Sequence, residues 1–312
     1  MAISYLTIAA GTGSCSRLSF WSAQAIEKYT GLHSIRAGDA IKALIAEGHI
    51  ALGKKSSRTR PRYEFRSYEE GGNASQEKLI WLPNTLITGT PSGEKSPARR
   101  LRSRGDLDSL RLLIDLYQVQ YLSAEGGISR TVLRKEYERK KCGESGRHVV
   151  WGFVEGHEVS FDHPITRFWK TKKNGLWRPL QTLQDMGLLE IVPHLVENSN
   201  SDCEPIHGFG WDGVGEPIEI EVGKAADEAG KRLLGLLHLS VAQKVDCVQM
   251  FAPAWDTQPD VQMVGVYRLT YRPQTELTAN WYRRISESAQ EWFETYQQIR
   301  SPNRTFHAVS GF

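Results

Sequence analysis

At 312 residues with 40% hydrophobic side chains the chain can bury sizeable cores, which excludes a disordered tail and sets an expectation of two or three globular units. The net charge of +3 conceals an asymmetry: residues 1–66 carry ten Lys and Arg against four Asp and Glu, and residues 95–147 thirteen against seven, whereas residues 185–262 carry four against fourteen. The front of the chain therefore attracts polyanions, and the later acidic stretch repels them and suits a protein partner.

Ile3 to Ala10 reads as a first helix with little or no arm ahead of it. Gly11-Thr12-Gly13 lacks the Gly-Lys-Ser/Thr ending that cradles nucleotide phosphates and reads as a loop. Ala25, Ile26 and Tyr29 then mark one face of a second helix, and Ala37, Ala40, Ile41, Leu44 and Ile45 recur at three-and-four spacing on a third. Between them Thr30-Gly31-Leu32-His33 supplies a turn: Gly31 takes positive φ, Leu32 plugs the helix junction, and His33 or Ser34 caps the next helix. Gly48 ends that helix. Ile50-Ala51-Leu52 and Tyr63-Glu64-Phe65 can pair as strands around a loop holding Lys54, Lys55, Arg58, Arg60 and Arg62, five cations with no anion.

Residues 22–65 resemble the winged helix-turn-helix regulators of bacteria, whose helix commonly reads Gly-Leu-Ser, a dozen residues, then Glu-Gly-Leu-Ile. Gly31-Leu32-His33 and Glu47-Gly48-His49-Ile50 stand in those places with the right spacing, although two side chains differ. The resemblance implies double-stranded DNA binding, with residues 34–47 as recognition helix and the basic loop as wing. Ser34, Ile35, Arg36, Gly38, Asp39 and Lys42 would face the major groove. Arg36 would bridge guanine O6 and N7, Ile35 touch a thymine methyl and Lys42 meet phosphate, while Asp39 would accept from cytosine or pair with Arg36. The candidate DNA-binding residues are thus Ser34, Ile35, Arg36, Lys42, Lys54, Lys55, Arg58, Arg60 and Arg62.

Residues 69–105 read as a connector. Lys78 to Leu82 reads as a short strand, and Thr88 to Arg104 as an exposed linker whose Arg99, Arg100, Arg102 and Arg104 can lie along a phosphate backbone. A helix with Leu110, Leu113, Ile114 and Tyr117 on one face follows, and Ile128-Ser129-Arg130 opens a cationic helix containing Val132, Leu133 and Tyr137. Val149 to Val154 suggests a strand and Trp177 to Met186 a helix, followed by a strand through Ile191 to Val196. Leu183-x-x-Met186-Gly187-Leu188-Leu189 loosely repeats Leu44-x-x-Glu47-Gly48-His49-Ile50. A second winged-helix-like domain is therefore expected at 106–240, with an insertion at 146–162, an acidic wing at 197–216 and a basic cluster of Lys170, Lys172, Lys173 and Arg178.

The last segment, 241–312, holds Val245 to Phe251 and Val261 to Tyr271 as a strand pair. A helix follows from Thr278 to Arg300, with Trp281, Ile285, Ala289, Trp292, Phe293, Tyr296 and Ile299 as its apolar stripe. That stripe must dock on its own domain or on a second copy of the chain.

The fold class expected is α+β: an N-terminal winged helix-turn-helix at 1–68, the connector, the second winged-helix-like unit and a C-terminal strand-helix element. The tandem layout resembles plasmid replication initiators and uncharacterised proteins carried on bacterial mobile elements. It implies transcription regulation or replication initiation, and the alternative is a winged-helix protein-protein adaptor without DNA contact. Cys15, Cys142, Cys203 and Cys247 are scattered, with no ligand spacing, so neither zinc nor a disulfide framework is indicated and a reduced, cytoplasmic setting fits. With no signal peptide and no run of eighteen apolar residues, no membrane role is expected. No catalytic motif stands out, so neither enzymatic activity nor a cofactor is expected. Asp212, Glu219, Glu221 and Lys224 could be assembled into a metal-dependent nuclease only by ignoring that Glu219 and Glu221 suit the wet face of a strand. A homodimer would place two recognition helices about one DNA turn apart.

Overall fold

The computed structural model describes residues 1–13, 17–57, 59–65, 80–91, 93–122, 126–161, 163–168, 175–198, 205–211, 213–244 and 250–301. The protein is α+β and divides into two compact units, Met1–Gln118 with Tyr271–Pro273, and Val119–Thr270 with Gln274–Phe312.

The first unit opens with α1 (Ala2–Ala10), β1 (Leu18–Ser19), α2 (Ala23–Thr30), α3 (Ser34–Ala46), β2 (Ile50–Leu52) and β3 (Tyr63–Phe65). The strands form an antiparallel sheet in the order β1-β3-β2, so the two strands flanking the basic loop pair as the sequence suggests. Ile8, Ile26, Ala37, Ile41, Leu44 and Ile50 form one buried cluster, with Leu32 packed against it from the helix junction. Three further helices, α4 (Thr85–Thr88), α5 (Pro97–Arg104) and α6 (Leu107–Gln118), complete the unit. The exposed linker expected at 88–104 is thus partly a helix that buries Pro97, Ala98 and Leu101. Ser96 caps it by accepting from the Arg99 amide, Pro97 fills its first turn, and Gly105 closes it in the left-handed region. Residues 80–82 of the expected short strand are not in a strand, and 78 and 79 lie outside the described residues.

The second unit is built on a six-stranded antiparallel sheet in the order β10-β7-β6-β11-β8-β9. Its strands are β6 (Leu133–Ser145), β7 (His148–Ser160), β8 (Leu189–Val196), β9 (Pro205–Gly208), β10 (Met250–Trp255) and β11 (Gln262–Leu269); a small ladder of β4 (Gln120–Tyr121) and β5 (Gly127–Ile128) precedes them. With the sheet go the helices α7 (Trp177–Asp185), α8 (Pro217–Lys244, broken at Gly235) and α9 (Glu276–Arg300), and a 3-10 turn at Pro164–Thr166. The α9 stripe docks within this unit: Trp281, Ala289, Tyr296 and Ile299 are buried, and α9 packs on α8 and β9.

Three expectations are corrected here. The cationic helix expected from Ile128 is the strand β6, paired with both β7 and β11, so a sheet strand stands where the second unit's cationic helix was expected. Leu133 and Tyr137 sit four residues apart, a spacing that brings side chains to one face in a helix and in a strand alike, and pairing with β7 decides for the strand. The expected partners β10 and β11 do not pair: β7 and β6 lie between them, and residues 245–249 fall outside the described residues. Glu219 and Glu221 stand in the first turns of α8, not on a strand.

Glu219 is fully buried. Its carboxylate accepts from Arg268 Nη1 at 2.8 and 2.7 Å and from the Glu216 amide at 2.8 Å, the return arm of a capping box at the start of α8. Arg268, also fully buried, donates through Nη2 to His194 Nε2 at 2.7 Å and lies 5.1 Å from the centre of the Trp281 ring. His194 Nδ1 is 2.8 Å from the Val192 carbonyl, which makes Nδ1 the protonated nitrogen and leaves Nε2 as the acceptor for Arg268. Burial, and then the charge of Arg268, hold the His194 pKa well below its ordinary value. Gly208 permits this approach, because a Cβ there would lie 2.4 Å from Glu219 Oε1.

Removing one partner of a buried ion pair costs about 3–5 kcal/mol, since the other charge stays behind in the core. Glu219→Leu is therefore expected to lower unfolding free energy in urea by about that amount, and Glu219→Leu with Arg268→Met by clearly less; simple additivity of the two single losses would contradict the pairing. His207 is buried, stacks on Trp292 at 4.6 Å, and is held by burial at a pKa of about 3. Both histidines are neutral in the fold and protonate in the unfolded chain, so stability is full above about pH 7. It falls as pH drops below the ordinary histidine value near 6.5, each histidine contributing up to about 1.4 kcal/mol per pH unit. His207→Phe should shed one proton's worth of that slope between pH 6 and 4.5, and an unchanged slope in denaturant titrations would contradict it.

Candidate nucleic-acid interface

α2 and α3 meet through a turn whose chemistry is local. Gly31 adopts φ 71°, the left-handed conformation that ends α2, and its amide donates to the Glu27 carbonyl. Thr30 Oγ1 accepts from the Leu32 amide, and His33 Nδ1 accepts from the Ile35 amide at 3.4 Å, capping α3. α3 ends on a Schellman motif in which His49 N donates to Leu44 O and Gly48 N to Ile45 O. Leu188 N to Leu183 O and Gly187 N to Gln184 O repeat it after α7. The sequence repeat noted between these places is this shared helix end.

The outward side of α3 is open. Ile35 is 70% exposed, Arg36 and Lys42 are exposed, and Ser34 is half-buried. Asp39 pairs with Lys42 at 3.3 Å, not with Arg36, and both partners are largely solvent-exposed, so the contact adds little stability. It leaves Arg36 without an acidic partner but partly neutralises Lys42. On the hairpin Lys54, Lys55 and Arg60 are exposed, and Lys55 adopts φ 124°, unusual for a residue with a side chain. Arg62 lies with its guanidinium 5.5 Å from the centre of the Phe20 ring, and its amide donates to Ser56 Oγ. Arg58 lies outside the described residues. Among the described residues none of Arg36, Lys54, Lys55, Arg60 and Arg62 forms an ion pair. Beside the hairpin runs an open groove of about 820 Å³, lined by Ser22 and Gln24 at the start of α2 and by Lys55, Ser57 and Thr59 of the loop.

The cations of the second unit are arranged otherwise. Arg134 pairs with Glu136 at 2.9 Å, Lys135 with Glu158 and Glu155 at 3.2 and 3.6 Å, and Lys141 with Glu144. Arg139 donates to the carbonyls of Pro259 and Val261 and stacks 4.1 Å over Trp151. Most of the positive charge of β6 is thus engaged within the fold, with the exposed Lys140 the exception among the described residues. Lys170, Lys172 and Lys173 lie outside the described residues, as does much of the loop between β8 and β9 expected as an acidic wing.

Comparison with protein-family models, with curated proteins and with solved structures gave no match to this chain. Any functional reading therefore rests on the residues themselves.

The described residues bring no group of three or more His, Cys, Asp or Glu together as a metal site. Of the imagined nuclease set, Glu219 is locked to Arg268, Glu221 pairs with Lys224 at 3.2 Å, and Asp212 lies outside the described residues. Cys142 is a free thiol, and the other three cysteines lie outside the described residues. Among the described residues no helix is long and apolar enough to cross a membrane.

The sequence reading missed α5 although its signals were present: Ser96-Pro97 at the start and Gly105 past the end. Arg102 Nε donates to the Thr30 carbonyl at 2.7 Å, and Ser96 Oγ donates to the Tyr29 carbonyl at 3.2 Å, so α5 caps the end of α2. Two glycines give opposite expectations for thermal stability. Gly31→Ala forces a side chain into the left-handed region and against Arg99 Nε, 3.2 Å from the new Cβ, and should cost about 1 kcal/mol. Gly38→Ala, in mid-helix with nothing within 4 Å, should gain up to about 1 kcal/mol, and a loss there would contradict the assigned α3.

Proposed function

We propose that the first unit is a winged helix-turn-helix that binds double-stranded DNA in a sequence-specific manner, as a transcriptional regulator or replication initiator of a bacterial mobile element. The helix order α1-β1-α2-α3-β2-β3 with sheet order β1-β3-β2 supports the winged-helix reading, and the observation that carries the DNA reading is the charge accounting. Among the described residues Arg36 on α3 and Lys54, Lys55, Arg60 and Arg62 on the hairpin have no acidic partner, whereas most cations of β6 are spent inside the fold. Exposed, unpaired cations cost self-repulsion, which a polyanion relieves.

In this reading α3 enters the major groove by its first turn. Arg36 reads guanine, Ile35 meets a thymine methyl, and Ser34 and Lys42 contact the backbone. The hairpin follows the neighbouring phosphates, and the groove beside it, with the start of α2 in its wall, accommodates the strand. The protein acts by binding, without catalysis or cofactor, in the cytoplasm. The second unit, with its acidic stretch, supplies contacts to protein or to a second copy. A protein-protein adaptor is the second reading, favoured by Phe20, Ile35 and Leu52, apolar side chains 54, 70 and 61% exposed in the same unit.

Salt separates the two. Lys54→Ala with Arg60→Ala should reduce the log-log dependence of duplex affinity on salt by up to about two units, because two phosphate contacts no longer release counterions. Arg36→Ala should instead cost about 1–3 kcal/mol at the specific site and broaden the sequence preference. Duplex affinity indifferent to salt and to all three substitutions would leave the adaptor.

A further inference from the structure

α5 carries Arg99, Arg100, Arg102 and Arg104 within eight residues and no acid. Arg99 and Arg102 are three apart, so their like charges repel on one side of the helix. Both lie at the turn between α2 and α3: a Cβ on Gly31 would lie 3.2 Å from Arg99 Nε and 3.4 Å from Arg102 Nη2. Gly31 is three residues ahead of Ser34, where α3 begins. The end of α2 takes one donor from these arginines, Arg102 Nε to the Thr30 carbonyl, beside Ser96 Oγ to the Tyr29 carbonyl. The Arg99 guanidinium, half-buried, makes no hydrogen bond or ion pair among the described residues. Two planar cations thus lie beside the entry to α3, Arg102 fixed by a backbone carbonyl and Arg99 next to it, with most of their donors unspent, and a guanidinium fork matches phosphate geometry.

We propose that Arg99 and Arg102 form a third cationic element of the DNA interface, which holds the duplex phosphate backbone next to the point where α3 enters the groove. The proposal rests on duplex binding by the first unit and adds to α3 and the hairpin a contact carried by a helix that follows them in sequence. Its role is register: a phosphate clamp at the start of α3 fixes how deep the helix sits, and carries no base preference of its own.

The test uses the full chain and a labelled duplex of unrelated sequence, titrated by fluorescence anisotropy across a salt series. Arg99→Gln should make the log-log slope shallower by about 0.9, Arg99→Lys should keep it, and Arg99→Gln should leave thermal unfolding unchanged because Arg99 caps nothing. Arg99→Gln with Arg102→Gln should lower the slope by nearly two and weaken all duplexes by the same factor. An unaltered slope in Arg99→Gln beside a reduced slope in Arg60→Gln would overturn the α5 contact and leave the hairpin contact standing. Slopes unaltered in both would overturn duplex binding, and this contact with it.

Discussion

The second unit depends on a charge that it cannot leave unpaired. Arg268 on β11 is fully buried, and its guanidinium is answered by Glu219 from the start of α8 and by the neutral His194 of β8. Desolvating two ions is expensive, and their attraction compensates only where geometry is good and the remaining lone pairs are occupied. Here the Glu216 amide takes a carboxylate lone pair, and the Trp281 ring faces the guanidinium. The network joins β8, β11, α8 and α9, four elements that no short connection would hold in one register. A shift of α8 would strand the arginine in the core, so the pair disfavours alternative packings even if its net contribution to stability is small.

That requirement also bears on chemistry. Glu219 is one of the four residues from which the sequence could assemble a metal-dependent nuclease, and its carboxylate is occupied by a guanidinium and an amide. Its neighbour Glu221 is turned to Lys224. Glu219 is thus taken up by the fold, as are most of the lysines and arginines of β6, whose partners lie on their own sheet or on neighbouring carbonyls.

The first unit shows the opposite economy. Its small core fixes α2, α3 and the hairpin, while among the described residues Arg36 on α3 and Lys54, Lys55, Arg60 and Arg62 on the hairpin form no ion pair, and only Lys42 meets an acid, Asp39. α5 joins this arrangement through backbone carbonyls at the end of α2, an attachment that uses one arginine donor and leaves the Arg99 guanidinium without a hydrogen bond or ion pair among the described residues. Positive charge is thereby concentrated where the chain has spent least of it internally, and this carries the proposal of a polyanionic partner.

The sequence by itself determined what nearest neighbours determine. Gly31 with its flanking caps, the apolar spacing of α2 and α3, the strand pair around the basic loop and the stripe of α9 all appear where the sequence places them, since each follows from contacts within a few residues. α5 belongs with these, because its capping residues were legible even though the arginine-rich composition suggested a linker. Tertiary structure alone decided the rest. A spacing of four at Leu133 and Tyr137 satisfies helix and strand equally, and only pairing with β7 and β11 selects the strand. The burial of Glu219 depends on Arg268 and that of His194 on the same arginine, partners 49 and 74 residues away, and no local pattern encodes a charge whose counterpart is brought to it by the fold of a six-stranded sheet.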